Sequence, residues 1–183
     1  MRLQLVKEPE WLFDCLNDIN IRIIDCQFSL ANESLGRENY SECHIPGAIH
    51  MDVVQDLSGK ISKHGGRHPL PERKEFIGKM KAYGIDEHSV IIAYDGGEGP
   101  FAGRFLWIAQ LYGYKQVYVL NGGLKKWIEK GYPITKDVPA FTPTDYEPDT
   151  IQDSLASYCE VKEWTESERS GYLIDSRDAN RYR

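Results

Sequence analysis

No hydrophobic run in this sequence approaches the roughly 18 consecutive apolar residues that span a bilayer. The amino-terminal segment meets charge at Lys7 and Glu8 before the core of a signal peptide could accumulate. The four cysteines show no CxxC spacing, and a chain of 183 residues is long enough to fold without crosslinks, so we expect reduced thiols. Together these absences predict a cytoplasmic protein.

Positive charge is also scarce. Lys and Arg number 22 against 28 Asp and Glu, which gives a formal net charge of -6 at pH 7. Such a balance does not supply the basic surface that binds nucleic acid or an anionic membrane. Hydrophobic residues make up 41% of the chain and charged residues 27%, so a sizeable core can form. We therefore expect one globular domain, or one domain and a piece of another, with small ligands or proteins as partners.

Short β-branched runs alternate along the chain with amphipathic segments. This alternation predicts an α/β fold, in which a mainly parallel sheet is covered by helices on both faces. The predicted strands are 21–26, 48–53, 89–95 and 116–120, with 2–5 as an edge strand, and the predicted helices are 8–16, 70–83, 101–112 and 124–130.

A change in composition marks residues 136–160, where prolines, threonines and aspartates replace periodic patterns and predict an extended linker. A sequence pattern then repeats. The order Val-Lys-Glu, Trp, Ile-Asp occurs from Val6 to Asp25 and again from Val161 to Asp175. A repeated helix and strand indicate a tandem of two related domains. We therefore predict a first domain over 1–135 and the beginning of a second, truncated domain over 161–183.

A glycine-rich segment from Tyr94 to Arg104 lies between a predicted strand and a predicted helix. Backbone N–H groups in such a turn can hold an anion or a thiolate at a helix N-terminus. The segment formally fits G-x-G-x-x-A, but Leu120 and Asn121 stand where a dinucleotide site needs an acid. Asp95 and Glu98 would also repel a pyrophosphate. A tight turn whose glycines serve backbone geometry is the simpler interpretation.

The histidines do not form a metal-binding pattern. His64 and His68 are four residues apart, but two glycines and an arginine separate them and Pro69 follows, so they do not share a helix face. No CxxC pair completes a tetrahedral set, and no Ser-His-Asp order is evident. The sequence therefore predicts neither a metal ion nor another cofactor.

Four stretches of the chain resemble one known family. Residues Cys43 to Asp52 resemble the HIPGA signature of rhodanese domains. Segments 56–59 and 65–71 are similar to the inserted loop of the tandem thiosulfate and 3-mercaptopyruvate sulfurtransferases, and Leu120 to Pro133 resembles their LNGG...W...G.P ending. The resemblance covers essentially the whole chain, and it implies a rhodanese-like fold with a five-stranded parallel sheet.

The resemblance also implies a chemistry. In this family a cysteine thiolate, at the start of the loop after the central strand, takes sulfane sulfur from thiosulfate and passes it to cyanide or a thiol. The matching position here is Asp95, whose carboxylate is a poor nucleophile toward sulfur and repels an anionic donor. None of the four cysteines lies between Tyr94 and Arg104. We therefore predict no catalytic residue in this chain, which would be the inactive first domain of a parent sulfurtransferase.

Further expectations concern binding. By resemblance, Arg181 binds the anionic sulfur donor, thiosulfate or mercaptopyruvate, in the full-length parent, because a guanidinium can grip two oxygens at once. A non-enzymatic rhodanese-like module that binds an anion or a protein is the alternative. A rhodanese-like phosphatase is a more distant alternative, because such an enzyme also needs a cysteine in the loop that here begins at Asp95. We also predict self-association through the truncated second domain, because the truncation would expose the apolar side chains of Trp164, Leu173 and Ile174.

Overall fold

The computed structural model describes residues 5–63, 66–149, 155–167, 171–175 and 180. The chain divides into two compact units, Met1–Ile151 and Gln152–Arg183. In chain order the elements are β1 (Val6–Lys7), α1 (Pro9–Asp14), β2 (Ile21–Asp25), α2 (Leu35–Glu42), β3 (Ala48–His50), α3 (Arg73–Ala82), β4 (Val90–Tyr94), α4 (Pro100–Leu111), β5 (Val117–Leu120), α5 (Gly123–Glu129) and α6 (Tyr158–Glu166).

One parallel sheet contains the five strands of the described residues, in the order β1-β5-β4-β2-β3. The central strand β4 pairs with β2 from Ile21 opposite Val90 to Asp25 opposite Tyr94. The predicted five-stranded parallel sheet with helices is therefore confirmed. Because the carboxyl ends of parallel strands meet at one edge of a sheet, the residues that follow β2 and β4 lie side by side there.

Successive side chains of a strand point to opposite sides of the sheet. In the central strand, the side chains on both sides are buried in hydrophobic clusters. In β4, Ile91 and Ala93 join a cluster that includes buried residues of α3 and α4. Ile92 and Tyr94 join a second cluster, which includes buried residues of α1, α2 and α5. This arrangement explains why the β4 sequence, Val90 to Tyr94, has no alternation of polar and apolar residues.

The sequence does not predict α2, and the structure shows the reason. This helix buries just Gly36 and Tyr40, so it lacks the apolar stripe from which a helix is recognised. Tyr40 fixes it in place by donating a hydrogen bond from its hydroxyl to the Ala48 carbonyl at 2.8 Å. The predicted edge strand 2–5 lies almost wholly outside the described residues, and the observed edge strand pairs Val6 with Val119.

In the second unit, α6 begins at Tyr158, inside the range for which the sequence predicts a linker. Its N-terminus is a capping box, in which the Ser157 hydroxyl accepts from the Glu160 N–H and the Glu160 carboxylate accepts from the Ser157 N–H. Residues 171–175, where the repeat predicts a strand, form neither helix nor strand. Among the described helices of the chain, none has the length and hydropathy needed to cross a membrane.

Candidate functional site

The glycine-rich loop joins the central strand β4 to α4. It begins at Asp95 and ends at Gly99, the N-cap of α4, whose φ of +92° is a conformation that favours glycine. The start of α5 lies directly against it. A Cβ on Gly123 would stand 2.3 Å from the Asp95 carbonyl oxygen, so this position has no room for a side chain. Two helix N-termini therefore converge on one loop at the carboxyl edge of the sheet.

The Asp95 carboxylate occupies the interior of this loop. Oδ1 accepts hydrogen bonds from the backbone nitrogens of Gly97 and Gly99, both at 3.0 Å. Oδ2 accepts from the backbone nitrogens of Phe101 at 3.1 Å and Ala102 at 3.3 Å. The Asp95 residue is 3% exposed. The ring of N–H donors, which the sequence suggests could hold an external anion, is therefore filled by a carboxylate of the chain itself.

The partial charges of the loop favour this arrangement. The N-terminus of α4 carries positive partial charge from its unpaired N–H groups, and a carboxylate is stabilised there. Hydrogen bonds from several backbone donors to one ionised group are also stronger than neutral ones. Asp95 thus acts as an internal anion that holds the loop closed.

Arg104, one turn further along α4, fastens a second loop to the site. Its Nε and Nη2 both donate to the Leu57 carbonyl, at 3.0 and 2.7 Å. Nη2 also donates to the carbonyls of His68 at 2.9 Å and Pro69 at 3.2 Å. Partial burial lowers the pKa of Arg104. One guanidinium therefore clamps both ends of the loop between Leu57 and Pro69 onto the helix that carries the N–H ring.

A cleft of about 380 Å³ lies outside the closed loop. Phe28 and Phe101 meet in its wall edge to face, with ring centroids 5.3 Å apart. Glu98 and Lys125, both at least partly exposed, contribute one charge of each sign. A volume of this size admits a small molecule. Its residues are Phe28, Asp95, Gly96, Gly97, Glu98, Phe101 and Lys125, so the cleft contains no thiol among the residues that the structure describes.

A second buried carboxylate, Asp25, ends β2 at the same edge of the sheet. It accepts hydrogen bonds from the Gln27 backbone nitrogen at 2.8 Å, the Gln27 side chain at 3.0 Å and the Tyr94 hydroxyl at 2.7 Å. Burial raises the pKa of Tyr94 well above its ordinary value, and the nearby Asp25 carboxylate is the second largest cause of this increase. With its oxygens engaged inside the protein, Asp25 acts as a structural acceptor that joins β2 to β4.

None of the four cysteines lies within the loop from Asp95 to Gly99. Cys26 is fully buried, and burial raises the pKa of its thiol well above the ordinary value, as do the carboxylates of Asp25, Asp95 and Asp56. Burial also raises the pKa of Cys15. Such thiols are held in the protonated form, which is a weak nucleophile. Cys159 is exposed on α6, in the second unit.

The remaining candidates from the sequence have mixed outcomes. Arg181, the expected donor-binding residue, lies outside the described residues, and so does His64. His68 contributes its carbonyl to the clamp of Arg104 rather than a metal ligand. Within the described part of the chain, no group of three His, Cys, Asp or Glu residues could hold a metal ion. The clamp itself escapes sequence analysis, because its acceptors are backbone carbonyls that leave no residue signature.

Comparison with known proteins places this geometry in a family. The family model described as the Rhodanese-like domain matches residues 8–130. A probable 3-mercaptopyruvate sulfurtransferase of Pseudomonas aeruginosa is 37% identical over 134 residues, which cover 72% of this chain and 47% of that protein. The thiosulfate sulfurtransferase of Bos taurus is 30% identical over 164 residues, which cover 88% of this chain and 54% of that protein.

Among solved structures, the 3-mercaptopyruvate sulfotransferase SseA of Escherichia coli is similar with a TM-score of 0.86. It is 25% identical in sequence, and the match covers 98% of this chain and 68% of that one. The chain thus spans about half the length of the curated relatives it matches.

Proposed function

Because the chain belongs to the rhodanese-like domain family, we propose that it is the non-catalytic first domain of a sulfurtransferase. The similar proteins named thiosulfate and 3-mercaptopyruvate sulfurtransferases support this class. In the parent protein, a cysteine thiolate outside this chain attacks the sulfane sulfur of thiosulfate and forms a persulfide as sulfite leaves. A thiol or cyanide then takes that sulfur and regenerates the thiolate.

The observation that carries the proposal is the filled N–H ring. Sulfur transfer needs a sulfur nucleophile inside such a ring, where the donors can stabilise a thiolate or persulfide. Here the position is taken by the Asp95 carboxylate, whose two oxygens already accept four backbone hydrogen bonds. An anionic sulfur donor approaching this loop would also meet the negative charge of Asp95. The loop therefore serves structure rather than sulfur chemistry.

We further propose that Arg181 binds the anionic sulfur donor in the parent protein. A guanidinium matches a sulfonate-like or carboxylate head with two parallel hydrogen bonds. Its partner in that role would be the cysteine loop of the second domain. Arg181→Lys in the longer protein should therefore raise KM for the donor more than it lowers kcat.

The experiment that tests the proposal measures thiocyanate formation from thiosulfate and cyanide. The 183-residue chain is assayed beside the longer protein expressed from the uninterrupted gene. We expect turnover by the longer protein alone. Turnover by the short chain that is lost in Cys26→Ser or Cys43→Ser would overturn the assignment of Asp95 and identify the thiol involved.

A binding module without sulfurtransferase activity is the second candidate, and the open cleft beside Phe28 and Phe101 favours it. Lys125 gives this cleft a cation that an anionic ligand could reach. Titration of the chain with thiosulfate, followed by the NMR shifts of the Lys125 and Phe101 amides, separates the two candidates. Saturable shifts in a chain without turnover would favour the module.

We also propose that the isolated chain self-associates through its second unit. A groove of about 320 Å³ on this unit is bordered by Val161, Trp164 and Leu173. Exposed apolar surface of this kind favours contact between copies. Sedimentation should show concentration-dependent dimers that Trp164→Glu abolishes, and a strict monomer at all concentrations would contradict the proposal.

A further inference from the structure

The segment from Phe141 to Asp149, called here the strap, has neither helix nor strand but is packed onto the first unit. The guanidinium carbon of Arg22 lies 4.8 Å from the centroid of the Phe141 ring. Tyr146 meets Tyr114 edge to face, with centroids 6.2 Å apart. These contacts show that the strap is a docked element of the first unit, although its sequence is typical of a free linker.

Thr144 ties the middle of the strap to the end of α3 and the turn that follows it. Its backbone nitrogen donates to the Lys81 carbonyl at 2.9 Å. Its hydroxyl donates to the Ile85 carbonyl at 2.7 Å. Thr144 therefore offers a single amide whose protection from solvent reports whether the strap is docked.

Arg73 and Lys81 on α3 bind the carboxyl-terminal half of the strap. The Arg73 guanidinium donates to the Glu147 carboxylate at 2.8 Å and to the Pro148 carbonyl at 2.6 Å, and Lys81 lies 3.4 Å from Glu147. The side chain of Glu147 is 55% exposed. Ion pairs so open to water contribute little to stability and weaken with salt.

The surface beneath the strap is shaped for it by two glycines. A Cβ on Gly84 would stand 2.9 Å from the Thr142 carbonyl oxygen. A Cβ on Gly113 would stand 2.0 Å from the Asp149 carbonyl oxygen. A side chain at either position would collide with the strap backbone. The strap therefore packs against a surface that has glycine at two points of close backbone approach.

Two buried polar atoms, Arg73 Nε and the Tyr114 hydroxyl oxygen, have no hydrogen-bond partner among the residues that the structure describes. The ion pairs of the strap are exposed, and Arg73 Nε and the Tyr114 hydroxyl gain no hydrogen bond from it, so we expect the strap to be held less tightly than the strands, whose backbone bonds form continuous ladders.

We propose that the strap is a latch that opens while the sheet stays folded, and that its state sets how much chain connects the two units. Opening frees residues 141–149, a segment with a reach of about 30 Å when extended. The strap does not include the Asp95 loop, and the test of this inference does not depend on the proposed function.

Hydrogen exchange on the full chain tests the latch. The Thr144 amide is compared with the amide of Ile91 in β4, which donates to the carbonyl of Gln116, the residue before β5. We expect Thr144 to exchange at least about tenfold faster than Ile91, yet slower than an unprotected amide. Arg73→Gln should speed Thr144 exchange several-fold and leave Ile91 unchanged. Equal rates for Thr144 and Ile91, or no protection of Thr144, would overturn the proposal.

A glycine pair supplies the matched control. Gly113→Ala introduces both backbone strain, at a φ of +104°, and the collision with Asp149. Gly131→Ala introduces strain at a φ of +71° with open space around the new Cβ. We expect Gly113→Ala to raise the exchange rate of the Thr144 amide relative to that of the Ile91 amide, and Gly131→Ala to leave this ratio unchanged. The same increase in both variants would attribute the effect to general destabilisation and would contradict the latch.

Discussion

The Asp95 carboxylate reaches forward along the chain to the backbone nitrogen of Ala102, in the first turn of α4, with Oδ2 3.3 Å from that nitrogen. The loop is therefore closed by one of its own side chains. Because the bond ends at the positive end of a 12-residue helix, the charge of Asp95 and the polarity of α4 act in the same direction. We therefore expect the stability of the first unit to depend on this pairing.

Removal of the internal anion should destabilise the first unit. Asp95→Ala leaves four N–H groups without their acceptor, so we expect the free energy of unfolding to fall by about 2–4 kcal/mol. Urea unfolding measures the change. Glu129→Ala, at an exposed position of α5, is the control and should change stability by less than about 0.5 kcal/mol. An Asp95→Ala variant as stable as the control would show that water replaces the carboxylate without cost.

A thiol placed in the loop should become reactive. In Asp95→Cys the sulfur would replace the carboxylate beside the same N–H donors, which favour the thiolate. We expect iodoacetamide to alkylate it faster than the exposed Cys159 and far faster than the buried Cys26. Mass spectrometry of peptides after timed quenching gives the three rates. If the introduced thiol reacts as slowly as Cys26, the loop does not stabilise a thiolate.

Loss of the Arg104 clamp should loosen the loop between Leu57 and Pro69. Arg104→Gln removes the fork that binds the carbonyls at both ends of the loop, and we expect a loss of about 1–3 kcal/mol. Limited proteolysis should show faster cleavage within this loop. Arg67→Gln, at an exposed position in the same loop, should leave cleavage unchanged. Equal cleavage of both variants would mean that Arg104 does not hold the loop.

Alkaline pH should unfold the protein through buried tyrosines. Burial raises the pKa of Tyr40 to about 12, and the pKa of Tyr94 lies well above its ordinary value. In the unfolded chain these phenols lose their protons near a pH of about 10, their ordinary pKa. The folded state keeps those protons, so its stability is fully present below about pH 10 and falls as pH rises toward the raised values.

Urea unfolding at several pH values from about 8 to about 11.5 should therefore show a decline that Tyr94→Phe makes shallower. This variant is also less stable at neutral pH, because Asp25 loses a donor. Tyr172→Phe is the control, since that residue is 94% exposed and should keep the slope of the unchanged protein. A slope that is the same in Tyr94→Phe and the unchanged protein would contradict the assignment.

Much of the fold is predictable from periodicity. The four core strands and the helices α1, α3, α4 and α5 each carry an apolar run or stripe, so the sequence reveals them. The helix α2 carries no such stripe, because its place depends on Tyr40 and on a close approach at Gly36, where a Cβ would stand 2.0 Å from the Gln27 carbonyl oxygen. A contact between two backbones has no periodic signature, and sequence analysis therefore misses this helix.

The sequence by itself determined the α/β class and the resemblance to rhodanese domains, and it predicted that Asp95 stands where that family has a cysteine. Tertiary structure decided what Asp95 does, because its four N–H partners converge only when β4 and α4 are in place. It also decided that Arg104 is a clamp and that 141–149 is docked. Such bonds to the backbone depend on where the chain runs in space, which side-chain order alone does not encode.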